Sequence, residues 1–91
     1  MIRSFADKRL RRFAEDGNSS GLPIRNAGRV RRMLMALKNA SEPSDMNLPG
    51  YRFHELKGQD RGTYALAVSG NWRLLFEWDE GAVNVRLEDY H

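Results

Sequence analysis

Two histidines, His54 and His91, are the only side chains here whose ordinary pKa allows proton transfer in both directions near neutral pH. His91 ends an Asp89-Tyr90-His91 tail. Lys57 follows His54 at the head of a Lys-Gly-Gln-Asp-Arg-Gly turn (57–62), and Arg73 falls inside Trp72–Trp78. Brought together, these residues would offer two proton carriers, two fixed cations and a carboxylate. That set suits metal-free RNA cleavage. A base takes the proton of a 2′-OH, the oxygen attacks the adjacent phosphate, and an acid protonates the leaving 5′ oxygen. Cations stabilise the charge that gathers on the phosphoryl oxygens. Each residue also has an ordinary alternative. The histidines could be surface or hydrogen-bonded structural groups, Lys57 a solvated turn lysine, and Arg73 an edge arginine paired with Glu77 or Glu88.

Other chemistries have less to build on. The chain has no cysteine, so a thiol nucleophile, a disulfide framework and a Cys-based zinc site are all excluded. His54 and His91 are far apart in sequence and form no HxH or HExxH pattern, so no metal and no other cofactor is expected. There is no Gly-rich phosphate loop and no GxSxG elbow.

The elements that must position these residues follow from periodicity. Met1–Phe5 reads as a first strand. Ser4 or Asp7 then caps a helix over about 6–16, whose inward face is Ala6, Leu10, Phe13 and Ala14. Gly17–Gly21 stops it. A second helix over about 23–40 points Ala27, Val30, Leu34 and Leu37 inward, with Met33 beside them. Ser41–Gly50, with two prolines, is a loop. From Tyr51 the period becomes two. Tyr51–Leu56, Thr63–Ser69, Trp72–Trp78 and a run through Val83, Val85 and Leu87 read as strands, with a tight turn at Ser69-Gly70-Asn71. The aromatics Tyr64, Trp72, Phe76 and Trp78 keep strand parity and read as core. The expectation is an α+β fold: two N-terminal helices packed on a mostly antiparallel, roughly five-stranded sheet whose other face is partly open.

Ninety-one residues, 41% hydrophobic and 30% charged, suit one small globular domain over 1–91. No apolar run approaches the ~20 residues of a membrane span, and no signal-peptide core follows Met1, so a cytoplasmic location is expected. The net charge of +3 hides an asymmetry. Residues 1–38 hold ten Lys/Arg against three Asp/Glu, whereas residues 39–91 hold five against nine. The basic half suits a polyanionic or acidic partner, or simply solvated helix faces.

The start MIRSFADKRLRRFAEDGNSSGL, the block YRFHELKGQDRGTYALAVSGNWRLLFEW and the ending VRLEDYH resemble HigB-type toxins of the RelE/ParE superfamily. The likeness runs almost the full length and is strongest over 51–91. The combination of HELKG, NWR and EDYH is its specific part. The resemblance implies a microbial-RNase-like fold and a toxin of a type II toxin–antitoxin module. It further implies a ribosome-dependent endoribonuclease that cuts translated mRNA. By position, His54, Asp89, Tyr90 and His91 match active-site residues of the family pattern, and Lys57 and Arg73 match basic positions near the cleft. The working assignment gives proton transfer to His91 with Asp89. His54 is a second proton carrier or phosphate ligand, Arg73 stabilises charge and Tyr90 positions substrate. Some relatives carry a basic residue just before NWR, where this chain has Ser69-Gly70, so one phosphate contact is absent. Arg9, Arg12, Arg29 and Arg32, with Arg11, Arg25 and Arg31, would grip ribosomal RNA. The implied partners are the ribosome and mRNA, a HigA-like helix-turn-helix antitoxin on the helical side and, through it, operator DNA. Two other readings fit the same scaffold: a ParE-like inhibitor of DNA gyrase without nuclease activity, and a non-catalytic partner of antitoxin and operator.

Overall fold

The computed structural model describes residues 1–90. Helix α1 spans Lys8–Asp16 and α2 spans Ala27–Asn39. Strands β1 (His54–Glu55), β2 (Thr63–Ser69), β3 (Trp72–Trp78) and β4 (Ala82–Asp89) form one sheet in the order β1-β2-β3-β4, every pair antiparallel. This is the expected α+β arrangement, with four strands rather than five. Met1–Phe5 does lie along β4, but only through isolated parallel bridges at Ile2–Ala82 and Phe5–Val85. Between those bridges β4 bulges. Asn84 adopts a left-handed backbone (φ 54°), and its N–H turns to Ser4 Oγ instead of a ladder carbonyl. A bulge interrupts pairing, so the fifth strand does not form.

Two other boundaries differ from the periodic reading. Helix α2 starts at Ala27, not near Pro23, because the Asn26 side chain caps it by accepting from the Arg29 N–H at 3.0 Å. Strand β1 is only two residues long, because Arg52 takes a left-handed backbone (φ 53°) that breaks extended pairing just before it.

The core lies between the helices and one face of the sheet. Leu10 and Phe13 of α1, with Val30, Met33, Leu34 and Leu37 of α2, meet Leu66, Val68, Leu74, Phe76, Val85 and Leu87. An aromatic file, Phe53–Tyr64–Phe76–Trp78, crosses the strands with ring centroids 5.6, 5.5 and 6.5 Å apart. Each such contact adds about 0.5–1.5 kcal/mol beyond area burial.

One buried carboxylate fastens α1 to β4. Asp7 caps α1 by accepting from the N–H groups of Arg9 and Leu10, and it also accepts from the Leu87 N–H at 3.2 Å. Burial alone would raise its pKa. The hydrogen bonds from Arg9, Leu87 and Leu10 outweigh that effect and hold it below the usual carboxylate value. The Leu87 bond also holds the end of β4 that leads into the tail.

Candidate active site

Side chains alternate along a strand, so paired residues share a face. The register His54–Ala65–Leu75–Arg86 therefore defines one row on the face away from the helices. Ala67–Arg73–Glu88 forms the next row. His54, Arg73, Glu77, Arg86 and Glu88 thus share the open face. Two apolar members, Ala65 and Leu75, are buried even there, between His54 on one side and Arg86 on the other.

His54 is exposed, and its Nδ1 lies 3.0 Å from the Arg52 carbonyl oxygen. A carbonyl only accepts, so Nδ1 is the donor in this contact and Nε2 is the ring nitrogen left facing solvent. The left-handed backbone of Arg52 precedes this contact by one peptide. A non-glycine residue in that region is uncommon and is found most often at turns and functional sites.

Arg73 is latched to the β2–β3 hairpin. Its Nη1 donates to the carbonyls of Gly70 (2.8 Å) and Trp72 (3.0 Å). Among residues 1–90, its Nε and Nη2 have no partner, so the guanidinium is held in place with donors to spare. Glu77 and Glu88, the carboxylates weighed as partners for Arg73, are both taken by Arg86 instead. Arg86 Nη1 donates to Glu77 Oε2 and Nε to Glu88 Oε2, each at 2.8 Å. Burial opposes the charge on Arg86, but the bonds to Glu88 and Glu77 prevail and raise its pKa. The strand pattern alone did not single out this trio. Its signal was the shared parity of Glu77, Arg86 and Glu88, which becomes visible only once the β3–β4 register is known.

The tail divides. Asp89 pairs with Trp72 in the ladder and so alternates onto the Leu74/Leu87 side, facing the helices. The Tyr90 N–H donates to the Asn71 carbonyl at 2.8 Å, which continues the ladder and places Tyr90 on the Arg73/Glu88 side, 40% exposed. His91 lies outside the described residues. Arg73 and Tyr90 thus share one end of the open face. His54 is on the opposite edge strand, about 12 Å from Arg73 at Cα and about 20 Å from Tyr90 along the sheet on ordinary strand spacings. The expected meeting of His54 with the tail is not present as a direct contact between His54 and Asp89 or Tyr90.

The basic residues sort by commitment. Lys57 is exposed in the turn after β1. Arg9 is paired with Asp7 through Nε and Nη2 and lies over the Trp72 ring. Arg29 donates to the carbonyls of Gly50 (2.7 Å) and Ala67 (2.9 Å) and lies over Tyr51, so it fastens α2 to β2. Arg12 and Arg32 remain exposed on the helices. The helix arginines flank the core side and not the face of His54. Among the described residues, no group of three or more His, Asp or Glu side chains could hold a metal ion, and no helix is long and apolar enough to cross a membrane.

With this geometry in place, comparison with known proteins is specific. Residues 3–91 match the family model described as the RelE-like toxin of type II toxin–antitoxin system HigB. The chain is 37% identical over 92 residues to a protein of Proteus vulgaris named Endoribonuclease HigB, covering all of both chains. It is 36% identical over 95 residues to Toxin HigB-1 of Vibrio cholerae serotype O1, covering 99% of this chain and 98% of the relative.

Proposed function

The chain belongs to the HigB-like toxin family of type II toxin–antitoxin systems, and from that premise we propose that it is the toxin of such a module. It acts as an endoribonuclease that cuts translated mRNA on the ribosome, in the cytoplasm. The relative from Proteus vulgaris carries the endoribonuclease name. The observation that carries the reading is the open face itself. It presents an imidazole oriented through Nδ1 by the Arg52 carbonyl, a guanidinium latched with donors to spare, and an exposed tyrosine.

In this reading, one proton carrier removes the 2′-OH proton and the oxygen attacks the adjacent phosphorus. The P–O5′ bond breaks as a second carrier protonates the leaving oxygen. The products are a 2′,3′-cyclic phosphate and a 5′-hydroxyl end. His91 with Asp89 moves one proton, and His54 moves the other or binds phosphate. Arg73 stabilises the phosphoryl charge and Tyr90 positions a base. Because His54 and Tyr90 sit on opposite sides of the face, the RNA must be held in a defined bend across it. In this reading the ribosomal decoding site supplies that constraint. Arg12 and Arg32 add electrostatic attraction to ribosomal RNA, and Lys57 to the message near the cleft.

A HigA-like helix-turn-helix antitoxin docks on the helical side and links the pair to operator DNA. A groove of about 310 Å³, with Phe13, Leu34 and Met35 along it and Arg31 and Lys38 among its walls, supports this placement. It lies away from His54. The test is to map mRNA 5′ ends after induction in cells. Cuts inside translated codons, absent with His54→Ala and with His91→Ala, are expected. Replication arrest with intact mRNA would replace this reading with gyrase inhibition.

A further inference from the structure

Among residues 1–90, cations without partners cluster around the β1 edge. Arg73 and Arg86 are engaged by carbonyls or carboxylates. Arg52, Lys57 and Arg61 are exposed, and among residues 1–90 none has a side-chain hydrogen bond or ion pair. They lie on either side of His54: Arg52 before it, and Lys57 and Arg61 in the turn after β1. An open cavity of about 490 Å³ sits in that turn, lined by Glu55, Leu56, Lys57, Gly58 and Arg61. Its size falls in the ordinary range for small-ligand sites.

Backbone hydrogen bonds brace the turn. The Leu56 N–H donates to the Thr63 carbonyl at 2.8 Å, and the Arg61 N–H donates to the Gly58 carbonyl at 3.2 Å. Glu55, the carboxylate in the lining, accepts from the Gly62 N–H through Oε2 at 2.9 Å. One oxygen of that carboxylate is thereby engaged by the turn backbone, and the cations of the lining outnumber it two to one. Asp60, in the same turn, is not part of the lining.

We infer that Arg61, with Lys57, forms a phosphate subsite in this cavity that takes the backbone of the single-stranded RNA next to the nucleotide at His54. The subsite rests on the ribonuclease reading and adds Arg61 to it. The RNA then runs along the β1 edge, with Arg52 and the Lys57/Arg61 pair on phosphates flanking the imidazole. Arg61 binds; it transfers no proton and touches no reacting atom.

The test uses the full chain and a labelled single-stranded oligoribonucleotide, 2′-O-methylated so that attack by the 2′ oxygen is blocked. Binding is measured at several salt concentrations. Arg61→Gln should weaken binding by about tenfold at low salt. It should also lower the slope of log affinity against log salt by about 0.7, the value for one phosphate of a single strand. Arg61→Lys should recover most of the affinity. In ribosome-dependent cleavage, Arg61→Gln should raise KM and leave kcat within about twofold, because only ground-state binding is lost. Unchanged affinity and slope in Arg61→Gln, or no binding by the parent chain, overturns the subsite. Loss of kcat at constant KM overturns it as well. His54→Ala separates the two proposals. It should fail to cleave, and adding Arg61→Gln to it should still weaken probe binding by about tenfold. Retained cleavage there refutes the role of His54 and leaves the Arg61 result to stand alone.

Discussion

Replacing Asp7 by alanine should destabilise the fold far more than a single helix-cap loss. The carboxylate accepts from the N–H groups of Arg9 and Leu10, from Arg9 Nε and Nη2, and from the Leu87 N–H. Losing the cap costs about 1 kcal/mol. The Leu87 N–H is then buried without a partner, which costs about 1–3 kcal/mol. The Arg9 guanidinium is 44% exposed, so its ion pair adds little. The total is about 3 kcal/mol, or a fall in Tm of about 12–24 °C for a domain of this size. The Asp7 pKa is lowered in the fold, so its contribution is fully present above the unfolded value of about 4. It is lost as pH falls through the folded value. Thermal melts followed by circular dichroism at pH 7 and pH 3 check both points. The gap between parent and Asp7→Ala should be large at pH 7 and shrink at pH 3. A variant melting within about 3 °C of the parent at pH 7 would refute the reasoning. So would a gap independent of pH.

Gly81→Ala should cost about 2 kcal/mol, read as a lower urea midpoint, because Gly81 has φ 151° and an added Cβ would meet the Met1 carbonyl oxygen at 2.9 Å. Arg29→Met should cost about 1–2 kcal/mol in the same assay, since the Gly50 and Ala67 carbonyls lose their donor. The double variant Arg12→Gln/Arg32→Gln should leave the midpoint unchanged and flatten the salt dependence of ribosome binding.

Local periodicity carried most of the fold. Leu10 and Phe13, then Val30, Leu34 and Leu37, repeat at helical spacing, and all five reach the core. Leu66, Val68, Leu74 and Phe76 do the same at strand spacing, and Ser69-Gly70-Asn71 links their strands. What escaped depends on partners distant in sequence. Met1–Phe5 has strand composition, but the bulge at Asn84 decides its fate from 80 residues away. Arg29 looked like one more surface arginine of a basic helix, yet two carbonyls from distant loops and strands claim it. The chemistry-bearing residues were visible by type, and their sharing of a face was partly visible through parity. His54 and Arg73 share the open face as alternation predicts, whereas the register with Trp72 turns Asp89 to the other side. Residue types do not encode separation across a sheet, so the gap between His54 and Tyr90 required the strand order.

The proposed chemistry stands or falls on the attacking oxygen. The purified chain is added to ribosomes carrying an mRNA with one 2′-deoxynucleotide at the mapped cut, beside an all-ribose control. The control should be cut to a 5′-hydroxyl and a cyclic or 3′ phosphate, while the deoxy message stays intact at that position. Cleavage of the deoxy message at the same bond, or 5′-phosphate ends on the control, would contradict the proposed chemistry.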